Sequence, residues 1–262
     1  MDGDQGFASL HIRLRALVAR LDALQRRFER LHDPRAAFTL VYRIITVSID
    51  ARLEGMGLAD PGWLVRLAER FACRYFMAVE AADDGRSPGR VWEAVFAAIG
   101  SRSSVLEDIV FPMTAHIVHD LPLALLDAGF DEPGLASRLH DYDRVNQVME
   151  ESIDHIRQHV TRRYSPGLRF LDRMERHYDL VLSGYGIRMS RGQAWYDALR
   201  LRDPSLAEVA SHSLESRPID LIDSVRHAPA STIGLVLSML RRVSALFRRW
   251  PSQEDADPWP GS

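Results

Sequence analysis

Phe7-Ala-Ser-Leu10-His-Ile-Arg-Leu14-Arg-Ala-Leu17-Val-Ala-Arg-Leu21-Asp-Ala-Leu24-Gln-Arg-Arg-Phe28-Glu-Arg-Leu31 decides the fold class. Its large apolar residues recur in alternating steps of three and four, which returns them to one face of an α-helix, whereas a strand would alternate every second residue. His32-Asp33-Pro34 then reads as a stop and a restart, with Asp33 as N-cap and Pro34 at the first helical position. Asp60-Pro61 and Asp203-Pro204 repeat that start signal further along.

Working outward, the same periodicity predicts helices over 35–53, 61–82, 91–99, 105–110, 112–128, 135–163, 168–182, 191–201, 206–227 and 233–250. Asp83-Asp84-Gly85-Arg86-Ser87-Pro88-Gly89 is an exposed turn. Strand-like sequence is confined to Asp179-Leu-Val-Leu-Ser-Gly-Tyr-Gly186, which a helix ending at Gly184 explains equally well. The expected fold class is all-α, a multi-helix globular bundle of about ten helices. With no repeat or linker, one domain over 1–262 is expected, 1–33 forming the N-terminal helix and 251–262 a flexible tail.

Composition bounds the function classes. The 262 residues are 46% hydrophobic and 26% charged, an ordinary globular balance. A net charge of −3 supplies no bulk field to attract nucleic acid, so no nucleic-acid partner is expected. All 33 basic residues are arginines, scattered over predicted solvent faces as a coding bias would leave them. The single cysteine, Cys73, excludes an intramolecular disulfide and reads as a small core residue. The opening Met1-Asp-Gly-Asp-Gln lacks the apolar stretch of a signal peptide, no apolar run looks long enough to span a membrane, and the expected location is cytoplasmic. Residues 233–250 are apolar and then basic. Packing against the body is the expectation, with peripheral membrane contact as the alternative.

Chemistry concentrates in Met113-Thr-Ala-His-Ile-Val-His-Asp-Leu-Pro122. His116 and Asp120, four apart, interrupt an apolar stripe on one helix face, and burial demands that they be paired or bound to metal. Pro122 removes a backbone donor and should disturb the helix beside them. His119 points away from this stripe. The pair could be catalytic, or ligands for a divalent metal, zinc or iron. Alternatively, Asp120 could cap a fresh helix starting at Leu121-Pro122. Asp141 and Asn146 flank the stripe of the helix over 135–163 and could complete a polar pocket with the pair, or line a helix–helix edge. His155 and His159 have metal-compatible spacing but sit among charged residues, as on a solvated face. Arg74 lies in an apolar stripe and should be buried against a carboxylate or an anionic substrate. Trp195 is either a pocket wall that contacts substrate or a plain core tryptophan.

Tyr42-x-x-x-Thr46, Asp60-Pro61-x-Trp63, Phe71-Ala-x-Arg-Tyr75, Ala115-His-Ile-x-x-Asp-Leu-Pro122 and Asp141-Tyr-x-x-Val-Asn146 together resemble a bacterial family of unknown function. Its members carry an Asn-Ala-His-Ile-Asn-x-Asp-Leu-like segment; here Met113-Thr114 replaces the asparagine before the Ala-His pair. The resemblance runs from about Pro34 to Ile156 and implies an all-helical fold without an established reaction. His116-Ile-Val-His-Asp120 followed by Pro122-Leu123 is also distantly similar to the helical zinc-dependent phospholipase C and single-strand nuclease superfamily. Ala124 replaces that superfamily's next histidine, and its N-terminal ligand is missing, so the likeness implies at most one or two metals.

Three function classes are therefore in play. One is a metal-assisted enzyme with a small-molecule substrate. Another is a metal-free enzyme with His116 as acid or base and Asp120 fixing its tautomer, and the third is a non-catalytic helical ligand-binding protein.

Overall fold

The structure is a computed structural model that describes residues 2–100, 102–130, 134–164, 184–227, 241, 248 and 250. Among them it is all-helical, with eight helices rather than about ten. They are α1 (Asp2–Arg30), α2 (Arg35–Arg52), α3 (Pro61–Asp83), α4 (Arg90–Ala98), α5 (Val105–Asp127), α6 (Leu135–Tyr164), α7 (Gly184–Arg202) and α8 (Ala207–Arg226). A short 3-10 turn, Leu53–Met56, follows α2. The count falls because 105–110 and 112–128 are one continuous rod, and because the helix expected over 168–182 lies outside the described residues. Most of the helix expected over 233–250 and the tail 251–262 also lie outside them. Gly184 opens a helix instead of ending one.

The apolar stripe of α1 narrows on packing. Leu14, Leu21 and Phe28 are fully buried, Leu10, Leu17 and Leu24 flank them, and Leu31 is exposed beyond the helix end. The three Asp-Pro signals behave differently. Asp60 caps α3 by accepting from the Trp63 amide at 2.7 Å. Asp33 accepts from the Arg35 amide at 2.9 Å, but Pro34, not Asp33, is the capping residue of α2, which begins at Arg35. Asp203 holds only a turn through Ser205, and α8 begins at Ala207. At α5, Ser104 and Glu107 form a reciprocal capping box.

α2 runs through the interior, against α1, α5 and α6, while α5 is packed by α2, α3, α4, α7 and α8. Among the described helices, α5 alone is long and apolar enough to cross a membrane; 67% of its apolar stretch is buried in the bundle. The Trp63 indole donates to the Gly129 carbonyl at 3.0 Å, tying α3 to the end of α5. From the C-terminal segment, Arg241 pairs with Glu107 and Arg248 with Asp108, both on α5, and Trp250 stacks on His32.

Candidate active site

The middle of α5 is not α-helical. His116–Asp120 forms a single π turn in which the Leu121 amide donates to the His116 carbonyl, one residue further back than in an α-helix. Single π turns carry one extra residue and often mark functional positions. Pro122 follows within the same rod, without the backbone N–H that a helix interior uses. Asp120 has helical dihedrals and makes no side-chain capping bond, so it does not start a fresh helix.

His116 and Asp120 are both 2% exposed, and Asp120 Oδ2 accepts from His116 Nδ1 at 2.8 Å. The same oxygen accepts from the Trp92 indole at 3.1 Å, and Oδ1 accepts from His119 Nδ1 at 2.7 Å. His119 therefore belongs to the cluster, against the expectation from a regular helical stripe: the π turn shifts the angular positions that the stripe assumed. Burial alone would raise the Asp120 carboxyl, but the bonds from His116 and His119 hold it below the ordinary carboxylate range. Burial pushes His116 below the ordinary histidine value despite Asp120, which favours the neutral ring. With Nδ1–H given to Asp120, Nε2 carries the free lone pair.

That Nε2 is buried and has no hydrogen-bond partner, and neither has the hydroxyl of Tyr42. Both residues line a cavity of about 90 Å³ formed between α1, α2, α3, α5, α6 and α7. The other walls are almost entirely apolar, with Ile45, Leu64, Phe71 and Met149 among them. Tyr42 and His116 have ring centroids 5.0 Å apart. Burial and then the Asp120 charge raise the Tyr42 phenol well above its usual value, so it stays protonated and can donate. On the far side of the carboxylate lies a polar surface cleft lined by Asp120, His119, Arg74, Arg70 and Cys73. Cys73 is exposed there, a correction to its expected place in the core, because its position on α3 faces the cleft and not the bundle.

The remaining expected site residues are placed elsewhere. Asp141 is fully buried and accepts from the amides of Ala59 and Asp60, both at 2.7 Å, anchoring the loop into α3. Asn146 accepts from Arg191 Nε at 2.6 Å and donates to Asp143. Neither is hydrogen-bonded to His116 or Asp120. Arg74 does pair with a carboxylate, but the partner is Asp127 at 2.6 Å, and the arginine side chain is 27% exposed at the cleft, not deeply buried. Trp195 packs edge-on against Phe130 at 4.5 Å and beside Tyr142, as a core tryptophan off the cavity. His155 and His159 contact one another.

Among the described residues no three His, Cys, Asp or Glu side chains converge as a ligand set for a metal.

The chain over residues 14–225 matches DUF5995, a family of unknown function. The chain belongs to that family. No curated protein and no solved structure matches it. DUF5995 membership agrees with the resemblance carried by the Ala115–Pro122 segment and assigns no reaction.

Three residues of the site have no role assigned from sequence. Tyr42 and Phe71 stand in the motifs that carry the family resemblance, but as side chains they look like ordinary core aromatics. Arg191 had a signal: it shares a face with Ile187, Ala194, Trp195 and Ala198, all buried, and an arginine in such a stripe needs a reason.

Proposed function

We propose that this chain is a metal-free enzyme acting on a small, largely apolar molecule, with His116 as acid–base and Tyr42 as hydrogen-bond donor. One observation carries this reading: two buried polar atoms without partners, His116 Nε2 and Tyr42 Oη, belong to residues that line the same apolar cavity. Leaving a buried polar group unsatisfied costs about 1–3 kcal/mol, a cost a bound ligand with a complementary polar group removes. The Nδ1–H bond to Asp120 fixes the tautomer that makes Nε2 the base, and the ionised carboxylate stabilises the imidazolium once a proton has moved. In such a step a proton passes from a carbon or oxygen acid of the ligand to Nε2. Tyr42 donates to the oxygen on which negative charge develops, and the proton is returned from Nε2.

Solvent-deuterium exchange tests this without a known substrate. Small apolar ketones, aldehydes and esters are incubated with the protein in D2O and followed by NMR. Wild type should catalyse exchange into at least one of them, and His116→Gln and Tyr42→Phe should abolish it. Ligands that bind in the cavity with no exchange or turnover, and with equal affinity for His116→Phe, would make the protein a carrier instead.

A further inference from the structure

Arg191, on α7, also lines the cavity, and it is 5% exposed. Its Nε donates to Asn146 Oδ1 at 2.6 Å, its Nη2 donates to the Tyr142 carbonyl at 3.0 Å, and its guanidinium lies 4.0 Å over the Tyr142 ring. All three partners are neutral. No carboxylate pairs with Arg191 among the described residues, in contrast to the buried Asp108 and Glu29, which pair with Arg248 and Arg163. Asp143 is reached only through the Asn146 amide and is itself exposed. A buried guanidinium is costly unless a counter-charge accompanies it.

Resting on the assignment of this cavity as a small-molecule site, we propose that its ligand is a monoanion, an apolar body ending in a carboxylate that Arg191 holds. The two protein bonds occupy two of the five guanidinium N–H groups and leave three, including the end-on pair formed by the two terminal nitrogens. That fork matches the two oxygens of a carboxylate. One cation balances one negative charge; a phosphate monoester, carrying nearly two at neutral pH, would bring surplus charge into apolar walls. Asn146 is the positioning residue: by accepting from Nε it turns the free edge of the guanidinium outward from α6. The ligand then has two separated anchors, its carboxylate on Arg191 and its reacting group at His116 and Tyr42.

Calorimetric titration of the full chain with octanoate, octan-1-ol and octyl phosphate tests this. Wild type should bind octanoate at least tenfold more tightly than the alcohol, and more tightly than the phosphate. Arg191→Met should lose that preference while still binding octan-1-ol. Arg191→Lys should keep part of it, and Asn146→Leu should reduce it. His116→Phe should retain it, since the carboxylate anchor is independent of the base. Thus loss of deuterium exchange with octanoate preference intact separates failure of the catalytic reading from failure of this one. Equal affinities of wild type for octanoate and octan-1-ol, tighter binding of octyl phosphate, or no binding of octanoate would overturn the proposal. Should Arg191→Met fail to fold, Arg191→Lys and Asn146→Leu carry the test, and unchanged preference in both would overturn it.

Discussion

His116 lies flat against Phe71, with ring centroids 3.6 Å apart and the planes inclined by 9°. Stacking fixes the plane of the imidazole, and the bond to Asp120 fixes which edge faces which way. Neither constraint alone orients Nε2. Together they place one base on the wall of an apolar cavity, using α3 for the plane and the π turn of α5 for the edge.

Replacing Asp120 with Asn tests the second constraint. The carboxylate accepts from His116, His119 and Trp92, and an amide has only one oxygen with which to accept. At least one buried donor is left unpaired, so stability should fall by about 1–3 kcal/mol, read from urea unfolding. Nitrogen-15 NMR of the His116 ring should also show the proton no longer confined to Nδ1. An unchanged tautomer would mean that Asp120 does not set it.

Asp141 should behave as a structural residue. Its two oxygens satisfy the amides of Ala59 and Asp60 just before α3. Asp141→Ala orphans both, at about 1–3 kcal/mol each, and the chain should lose thermal stability while the folded fraction keeps its ligand affinity. A variant that stays stable but loses ligand would return Asp141 to the site.

These cases show what was legible in the sequence. The helical class was written in the periodicity of stretches such as 7–31, and the His116–Asp120 pair in its four-residue spacing, because both depend only on local geometry. Asp141 looked like a site residue because a buried carboxylate beside an apolar stripe has the same sequence signature whether it holds a ligand or two backbone amides. The amides come from residues about eighty positions earlier, and no local pattern announces them. A regular helix turns His119 away from the pair, and a π turn changes the faces without changing the residues. Tyr42 was hidden for a different reason: its hydroxyl is notable only because nothing pairs with it, which is a property of the packed structure.

Asp108 gives a pH prediction outside the site. Burial pushes its carboxyl up to about 7, against the pull of Arg248 and Ser103. A folded-state pKa above the unfolded value means that the folded chain holds more protons between about pH 4 and about pH 7. The contribution to stability is therefore complete below pH 4 and is lost as pH rises towards 7. Asp108→Asn removes the titration, so the variant should gain stability relative to wild type as pH is raised across that window. Parallel urea midpoints at pH 4.5 and pH 7.5 check it, and a constant difference between the two proteins would contradict the assignment.

The His116 ring predicts the opposite slope. Its folded pKa lies below the ordinary histidine value of 6.5, with burial as the main cause and His119 and Arg74 adding to it against Asp120. As pH falls below 6.5 the unfolded chain takes up a proton that the folded ring still refuses, so the unfolded state is favoured. The contribution of this group is thus full above the unfolded pKa and declines through the window between 6.5 and the lower folded value. His116→Phe keeps an aromatic ring against Phe71 but cannot titrate. It leaves Asp120 with two of its three donors, His119 and Trp92, and should start out less stable than wild type at neutral pH. The informative quantity is the slope: between pH 7.5 and pH 5 wild type should lose more stability than His116→Phe, measured by urea denaturation at each pH. Equal slopes would mean that the ring titrates alike in the folded and unfolded chains, and a smaller loss in wild type than in His116→Phe would mean that the folded ring is charged, with no lone pair at Nε2 to act as a base.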